Sequence, residues 1–125
     1  FDLNNLKIIN DTKGHSKGDQ LIFNFAHLLR RVIPQEAFVG RYGGDEFMVV
    51  IYNTSKTEIE DILMQLSREK DSLNSRGNDM PIDYACGWAI SDADSECTIQ
   101  MLLDKADYYM YENKQSRKKS EQSLK

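Results

Sequence analysis

Residues 37–52 read Ala37-Phe38-Val39-Gly40-Arg41-Tyr42-Gly43-Gly44-Asp45-Glu46-Phe47-Met48-Val49-Val50-Ile51-Tyr52. Two runs rich in β-branched and aromatic residues, Ala37 to Tyr42 and Asp45 to Tyr52, flank a Gly-Gly pair. That pattern predicts a β-hairpin whose tight turn calls for positive φ at the glycines. On both sides of the hairpin the periodicity becomes helical. Leu21, Ile22, Phe25, Leu28, Leu29 and Val32 predict a helix from Asp19 to Ile33, stopped by Pro34. Ser55 with Glu58 forms a capping box that opens a second helix, with Ile59, Ile62, Leu63 and Leu66 on one face. Asn74, Gly77 and Asn78 break it, and Pro81 precedes a strand from Ile82 to Ile90. A last helix is expected from Thr98 to Lys114, with Met101, Leu102, Ala106, Tyr109 and Met110 turned inward. Phe1 to Asn4 alternates apolar and polar, like the end of a strand. The order is βαββαβ plus a terminal helix, which defines an α+β, ferredoxin-like layout: an antiparallel sheet with helices on one face.

The chain has 125 residues, 40% hydrophobic and 29% charged, enough for one domain with a real core and too ordinary for disorder. Its formal charge is −4, against the positive excess of a general nucleic-acid binder. An RNA-recognition module of the same layout also needs exposed aromatics on the sheet face, which these strands do not offer. No apolar run approaches the roughly 20 residues of a membrane-spanning helix, so no membrane contact by this segment is expected. The two cysteines, Cys86 and Cys97, form no CxxC or Cys/His cluster. They suit a reducing, cytoplasmic compartment without disulfides or zinc. A polar, basic stretch follows from about Gln115 to Lys125.

Chemistry concentrates in three places. Asp45 and Glu46 sit at the turn and run straight into an apolar strand, where an uncompensated carboxylate is costly. A divalent metal would remove that cost. Neighbours along a strand point to opposite faces, so the two acids are expected to have different roles. Asp2, at the end of the first strand, is expected beside the hairpin, and carboxylates from neighbouring strands can hold Mg²⁺. Read on spacing alone, Asp2 is better taken as an ordinary strand-end acid. Lys7 to Asp19, with Gly14, Gly18, three lysines and amide and acid groups, reads either as a polar loop or as a nucleotide loop. In the polar-loop reading, Asp19 is simply an acid at a helix N-terminus. In the nucleotide reading, Asn10 and an acid can satisfy the donors on the edge of guanine.

FDLNNLKIINDTKGHSKGD followed at this distance by RYGGDEF resembles the GGDEF family of bacterial diguanylate cyclases. The resemblance runs through Leu102-Leu103-Asp104-Lys105-Ala106-Asp107 and Met110-Tyr111-Glu112-Asn113-Lys114 and so covers nearly the whole chain. It implies a palm-type catalytic domain over residues 1–119, with a polar tail at 120–125. It also implies condensation of two GTP into cyclic di-GMP, with release of two pyrophosphates. The cofactor implied is Mg²⁺ or Mn²⁺, two per half-site. Asp2 and Asp45 match the metal-binding acids, and Leu3 would lend a backbone carbonyl. Asp45 also matches the acid proposed to help deprotonate the attacking 3′-hydroxyl, with Glu46 as the neighbouring motif acid. Lys7 matches the lysine that steadies phosphate charge. Asn10 and Asp19 match the guanine readers, and His15 falls in the same pocket. Gly43 and Gly44 let the phosphates approach, and Lys114 and Lys118 fall at phosphate contacts.

Each subunit would hold one GTP, so a homodimer is required for catalysis, and attached sensory or regulatory domains would control how the halves meet. A catalytically inactive module of the same fold, binding GTP or serving as an interaction domain, is the alternative. The chain departs from the family pattern at Asn4, Leu6 and Lys118, the last standing where an arginine is usual and losing its bidentate geometry. The family's domain begins with a further helix and most of the first strand, so an N-terminally truncated domain is expected. The Arg-x-x-Asp product-binding motif of many members falls on Pro34 and Ala37, which cannot serve it.

Overall fold

The computed structural model describes residues 1–77, 80–92 and 96–123. The elements are β1 (Asp2–Leu3), α1 (Leu6–Lys13), α2 (His15–Val32), β2 (Phe38–Arg41), β3 (Phe47–Val50), α3 (Lys56–Asn74), β4 (Tyr84–Ala85) and α4 (Ile99–Ser123). The chain divides into two compact units: Leu3–Tyr84, and Phe1–Asp2 together with Ala85–Lys125. The α+β class stands, with regular pairing in two ladders, β1 with β4 and β2 with β3.

In the Leu3–Tyr84 unit, the hairpin pairs Phe38 with Val50 through to Arg41 with Phe47. Its connection is therefore the five residues 42–46, longer than a two-residue turn. Neither Gly43 nor Gly44 has positive φ, contrary to the expectation from the Gly-Gly pair. The longer loop reverses the chain without it. The Tyr42 and Gly43 amides donate to the Glu46 carbonyl at 2.8 and 3.4 Å, and the Arg41 guanidinium bonds the Gly43 and Gly44 carbonyls. The strands are also shorter than predicted, because Asp45 and Glu46 are drawn into this turn and precede β3.

The amphipathic face of α2 buries Leu21, Phe25, Leu28, Leu29 and Val32, as the spacing predicts. Phe25 meets Phe47 edge-on at 5.0 Å and Tyr84 at 5.4 Å, joining the helix to the hairpin and to β4. Pro34 ends the helix: α2 stops at Val32 and Ile33 is extended. Ser55 caps α3 by accepting from the Glu58 amide at 3.2 Å, and Leu66 is its fully buried contact. At the far end the Asn74 side chain both donates to and accepts from the Ile82 backbone, at 2.8 and 2.9 Å. That pairing ties α3 to the strand that follows. Asn78, named above as a breaker, lies outside the described residues, as do residues 124–125 of the tail.

The largest departure is at the start. Lys7 to Asp19 is no loop: it is α1, a Gly14 corner and the first turns of α2. Leu6 and Ile9 are buried one turn apart, enough to seat a short helix, while Lys7, Asp11, Thr12 and Lys13 face outward. Gly14, at φ 91°, makes the reversal, and its amide closes α1 onto the Asn10 carbonyl at 3.1 Å. Because α2 begins at His15, Asp19 lies in its second turn rather than at its N-terminus. In the other unit, residues 85–87 lie against α4. The Cys86 amide donates to the Asn113 side chain at 3.3 Å. A Cβ built on Gly87 would fall on the Ala106 carbonyl and the Met110 amide, so the two backbones touch. The α4 helix continues to Ser123, through most of the stretch read as a tail, while Met101 and Tyr109 are about half exposed rather than inward.

Candidate active site

The end of β1 reaches the glycine-rich turn. The Leu3 amide donates to the Asp45 carbonyl at 2.7 Å, and on its other side the Asn4 amide donates to the Asp83 carbonyl at 2.9 Å. The Asn4 side chain also donates to the Asp83 carboxylate at 3.0 Å. These bonds fix the backbone of Leu3 and Asp45 against each other, as the sequence suggested for neighbouring strands. Asp45 and Glu46 are half-buried, and among the described residues neither carboxylate has a hydrogen bond or an ion pair. A buried or half-buried carboxylate is normally compensated. Arg41 in the same turn bonds backbone carbonyls instead of these acids.

The glycines of that turn carry a second observation. A Cβ on Gly44 would meet nothing within 4 Å, and one on Gly43 only the Glu46 Cβ at 3.8 Å. Neither conformation nor packing requires glycine here. Arg41 binds both turn carbonyls from one side. Trans peptides point N–H opposite to C=O, so the amides of Gly44 and Asp45 face away from the guanidinium, open to an anion.

Helix α1 and the start of α2 supply the remaining side chains of this unit. Lys7 and Asn10 are three apart on α1 and so share a face, Lys7 exposed and Asn10 half-buried. Gly18 is buried under the Asn10 side chain: a Cβ there would run into the Asn10 amide oxygen. The α1–α2 corner thus holds the Asn10 amide against the residue preceding Asp19. His15 and Asp19 are exposed on α2. The role of Gly18 was not singled out by sequence reasoning, although a glycine inside a helical pattern is the signal that could have found it.

In the other unit Asp2 is the only buried charged side chain among the described residues, and the Lys114 ammonium bonds its carboxylate. Lys118, one turn further along α4, is exposed. Among the described residues no group of three or more His, Cys, Asp or Glu side chains could hold a metal ion. Within the Leu3–Tyr84 unit, the half-buried Asp45 carboxylate and the backbone carbonyls beside it are hard oxygen donors of the kind Mg²⁺ takes, an ion that commonly keeps water and substrate phosphate in its remaining positions. That a protein cation already sits on Asp2 shows that this carboxylate accommodates positive charge.

Comparison with known proteins defines the class of the chain. The sequence profile described as "Diguanylate cyclase, GGDEF domain" matches residues 1–120, and the chain belongs to that family. It is 34% identical to the signaling protein YkoW of Bacillus subtilis over 121 residues, 94% of this chain and 15% of that protein. It is 32% identical to the diguanylate cyclase DgcP of Escherichia coli over 126 residues, 96% of this chain and 36% of that protein. The chain therefore spans well under half the length of these relatives. The crystal structure of the GGDEF domain of DgcB from Caulobacter crescentus, in complex with c-di-GMP, superposes with a TM-score of 0.78 at 28% identity, over 92% of this chain and 69% of that one. The active GGEEF domain of a Vibrio cholerae diguanylate cyclase gives 0.71 at 27% identity, over 92% and 73%. Among the described residues no helix is long and apolar enough to cross a membrane.

Proposed function

We propose that this chain is the catalytic domain of a diguanylate cyclase, joining two GTP molecules into cyclic di-GMP with release of two pyrophosphates. The observation that carries the reading is the Gly43–Glu46 turn. Its glycines serve neither conformation nor packing, and its carboxylates lack protein partners among the described residues. Such a turn fits nucleotide phosphate and divalent metal.

In this reading Asp2, Asp45 and the Leu3 carbonyl hold two Mg²⁺ or Mn²⁺ ions. When bound, these ions stabilise charge on the attacking and leaving oxygens. Asp45 also helps take the proton of the 3′-hydroxyl, with Glu46 beside it. Lys7, Lys114 and Lys118 offset phosphate charge, and the open amides of the turn contact the same groups. Asn10 and Asp19 bond the guanine edge next to His15, Asn10 being held in place over Gly18. One nucleotide per subunit makes a homodimer part of the mechanism. Regulatory domains elsewhere in the protein would control its geometry.

Incubation of the protein with GTP and Mg²⁺, followed by chromatography for cyclic di-GMP, tests the reading. Product is expected. GTP binding without product would instead favour a nucleotide-binding module of the same fold.

A further inference from the structure

Asp2 is buried, with its side chain 9% exposed, and the cation on it is Lys114, 112 positions away in the sequence and 33% exposed. The placement is not casual. Helix α4 is fixed on residues 85–87 by the backbone approach at Gly87 and by the Asn113 bond to the Cys86 amide, and Lys114 is the residue next to Asn113. A carboxylate this buried is costly when unpaired, and the ammonium compensates it. The consequence concerns what else can bind there. A divalent cation approaching the same carboxylate meets a like charge at a few ångströms in a partly desolvated place, where such repulsion is far from negligible. It also finds no cluster of three acids to outweigh that repulsion among the described residues.

We propose that Lys114 is the resident counter-ion of Asp2 and gives the carboxylate up only when nucleotide phosphates offer its ammonium a second anion. Metal and nucleotide then load together, and neither loads well alone. This rests on the reading of Asp2 as a metal ligand. Lysine suits such an exchange, being a point charge on a flexible stem that can swing between two anions without a fixed geometry at either. A metal-free, nucleotide-free site keeps its buried acid neutralised. By linkage, metal must favour nucleotide as strongly as nucleotide favours metal. The role differs from that of a simple phosphate contact, because it makes Lys114 an opponent of metal binding when no nucleotide is present.

The two roles separate in a metal-binding measurement. Free Mn²⁺ is followed by electron paramagnetic resonance during titration of the protein, without nucleotide and with 3′-deoxy-GTP, which lacks the attacking hydroxyl and cannot turn over. Without nucleotide, Lys114→Met is expected to bind Mn²⁺ about tenfold more tightly than the unsubstituted protein, the loss of one close like charge. The same variant is expected to bind 3′-deoxy-GTP more weakly. Lys114→Arg keeps the charge and is expected to keep weak metal-only binding. Circular dichroism shows whether each variant is folded. Equal or weaker metal-only affinity in folded Lys114→Met overturns the proposal. So does a gain that survives in the Lys114→Met, Asp2→Asn double variant, because the metal is then held elsewhere. If Asp2→Asn alone leaves Mn²⁺ binding unchanged in the presence of 3′-deoxy-GTP, the metal-ligand reading of Asp2 itself is wrong and the exchange falls with it.

Discussion

Asp45 shows how far single residues could be read from the sequence. Its type and its place at a glycine turn were legible, and so was its adjacency to the first strand, which the Leu3 amide bond to the Asp45 carbonyl confirms. The backbone conformation of the glycines was not. They read as a demand for positive φ, yet their backbone is ordinary. The pairing of Lys114 with Asp2 was likewise invisible, since no periodicity connects residues at opposite ends of a chain. Asp45→Ala is expected to lower cyclic di-GMP formation by several orders of magnitude, since metal and electrostatic stabilisation are commonly the largest catalytic terms. Near-normal product formation would contradict its assignment. Burial pushes the Cys86 thiol up to about 11 from 9.0. Above pH 9 the unfolded chain has released this proton while the folded one retains it, so the unfolded state binds fewer protons and stability falls as pH rises from about 9 to 11. Cys86→Ala is expected to flatten that part of a denaturation-midpoint profile against pH.

At the scale of elements, strongly periodic segments were read correctly and short ones were not. The 18-residue α2 and 19-residue α3 announce themselves through repeated apolar positions and, for α3, a cap. The 8-residue α1 buries only Leu6 and Ile9 among polar neighbours, and two apolar residues do not establish a period. The predicted strand Ile82 to Ile90 contracts to Tyr84–Ala85, because Gly87 and its neighbours instead lie against α4. That close approach leaves no room for a Cβ at Gly87. The obstacles to a Cβ there are backbone atoms, which cannot rotate away as a side-chain tip can. Gly87→Ala is expected to force α4 outward and to cost about 1–3 kcal/mol, the usual range for overpacking. A denaturant midpoint equal to that of the unsubstituted protein would show that α4 yields without penalty.

At the scale of the whole molecule, the family was legible because its motif residues are contiguous or regularly spaced, whereas the contact of Lys114 with Asp2 joins residues 112 positions apart. Feedback by the expected product is a question of the same scale. Ala37 donates its amide to the Pro34 carbonyl at 3.0 Å, so the two positions that correspond to the arginine and aspartate of the Arg-x-x-Asp motif close a turn and carry no charge themselves. Arg31, nearby on α2, is drawn to Glu69 on α3 at 3.7 Å. Without a positioned guanidinium and carboxylate, no tight feedback through this surface is expected. Titrating cyclic di-GMP into the turnover assay checks this, and submicromolar inhibition abolished by Arg30→Ala or Arg31→Ala would be the contrary result.

The open space around Gly44 has a consequence for laboratory evolution. A glycine that the native backbone does not need leaves the unfolded chain unnecessarily flexible, and alanine at such a position commonly adds about 0.4–1 kcal/mol of stability. Gly44→Ala is therefore expected to melt no lower than the parent, and slightly higher if the turn is unchanged. Its added methyl group would stand in the path of the phosphates and depress turnover. Selection for heat resistance alone would favour that substitution and discard the activity, while selection for activity keeps a residue that the fold itself does not require. Melting temperature and cyclic di-GMP yield, measured side by side on Gly44→Ala, should move in opposite directions.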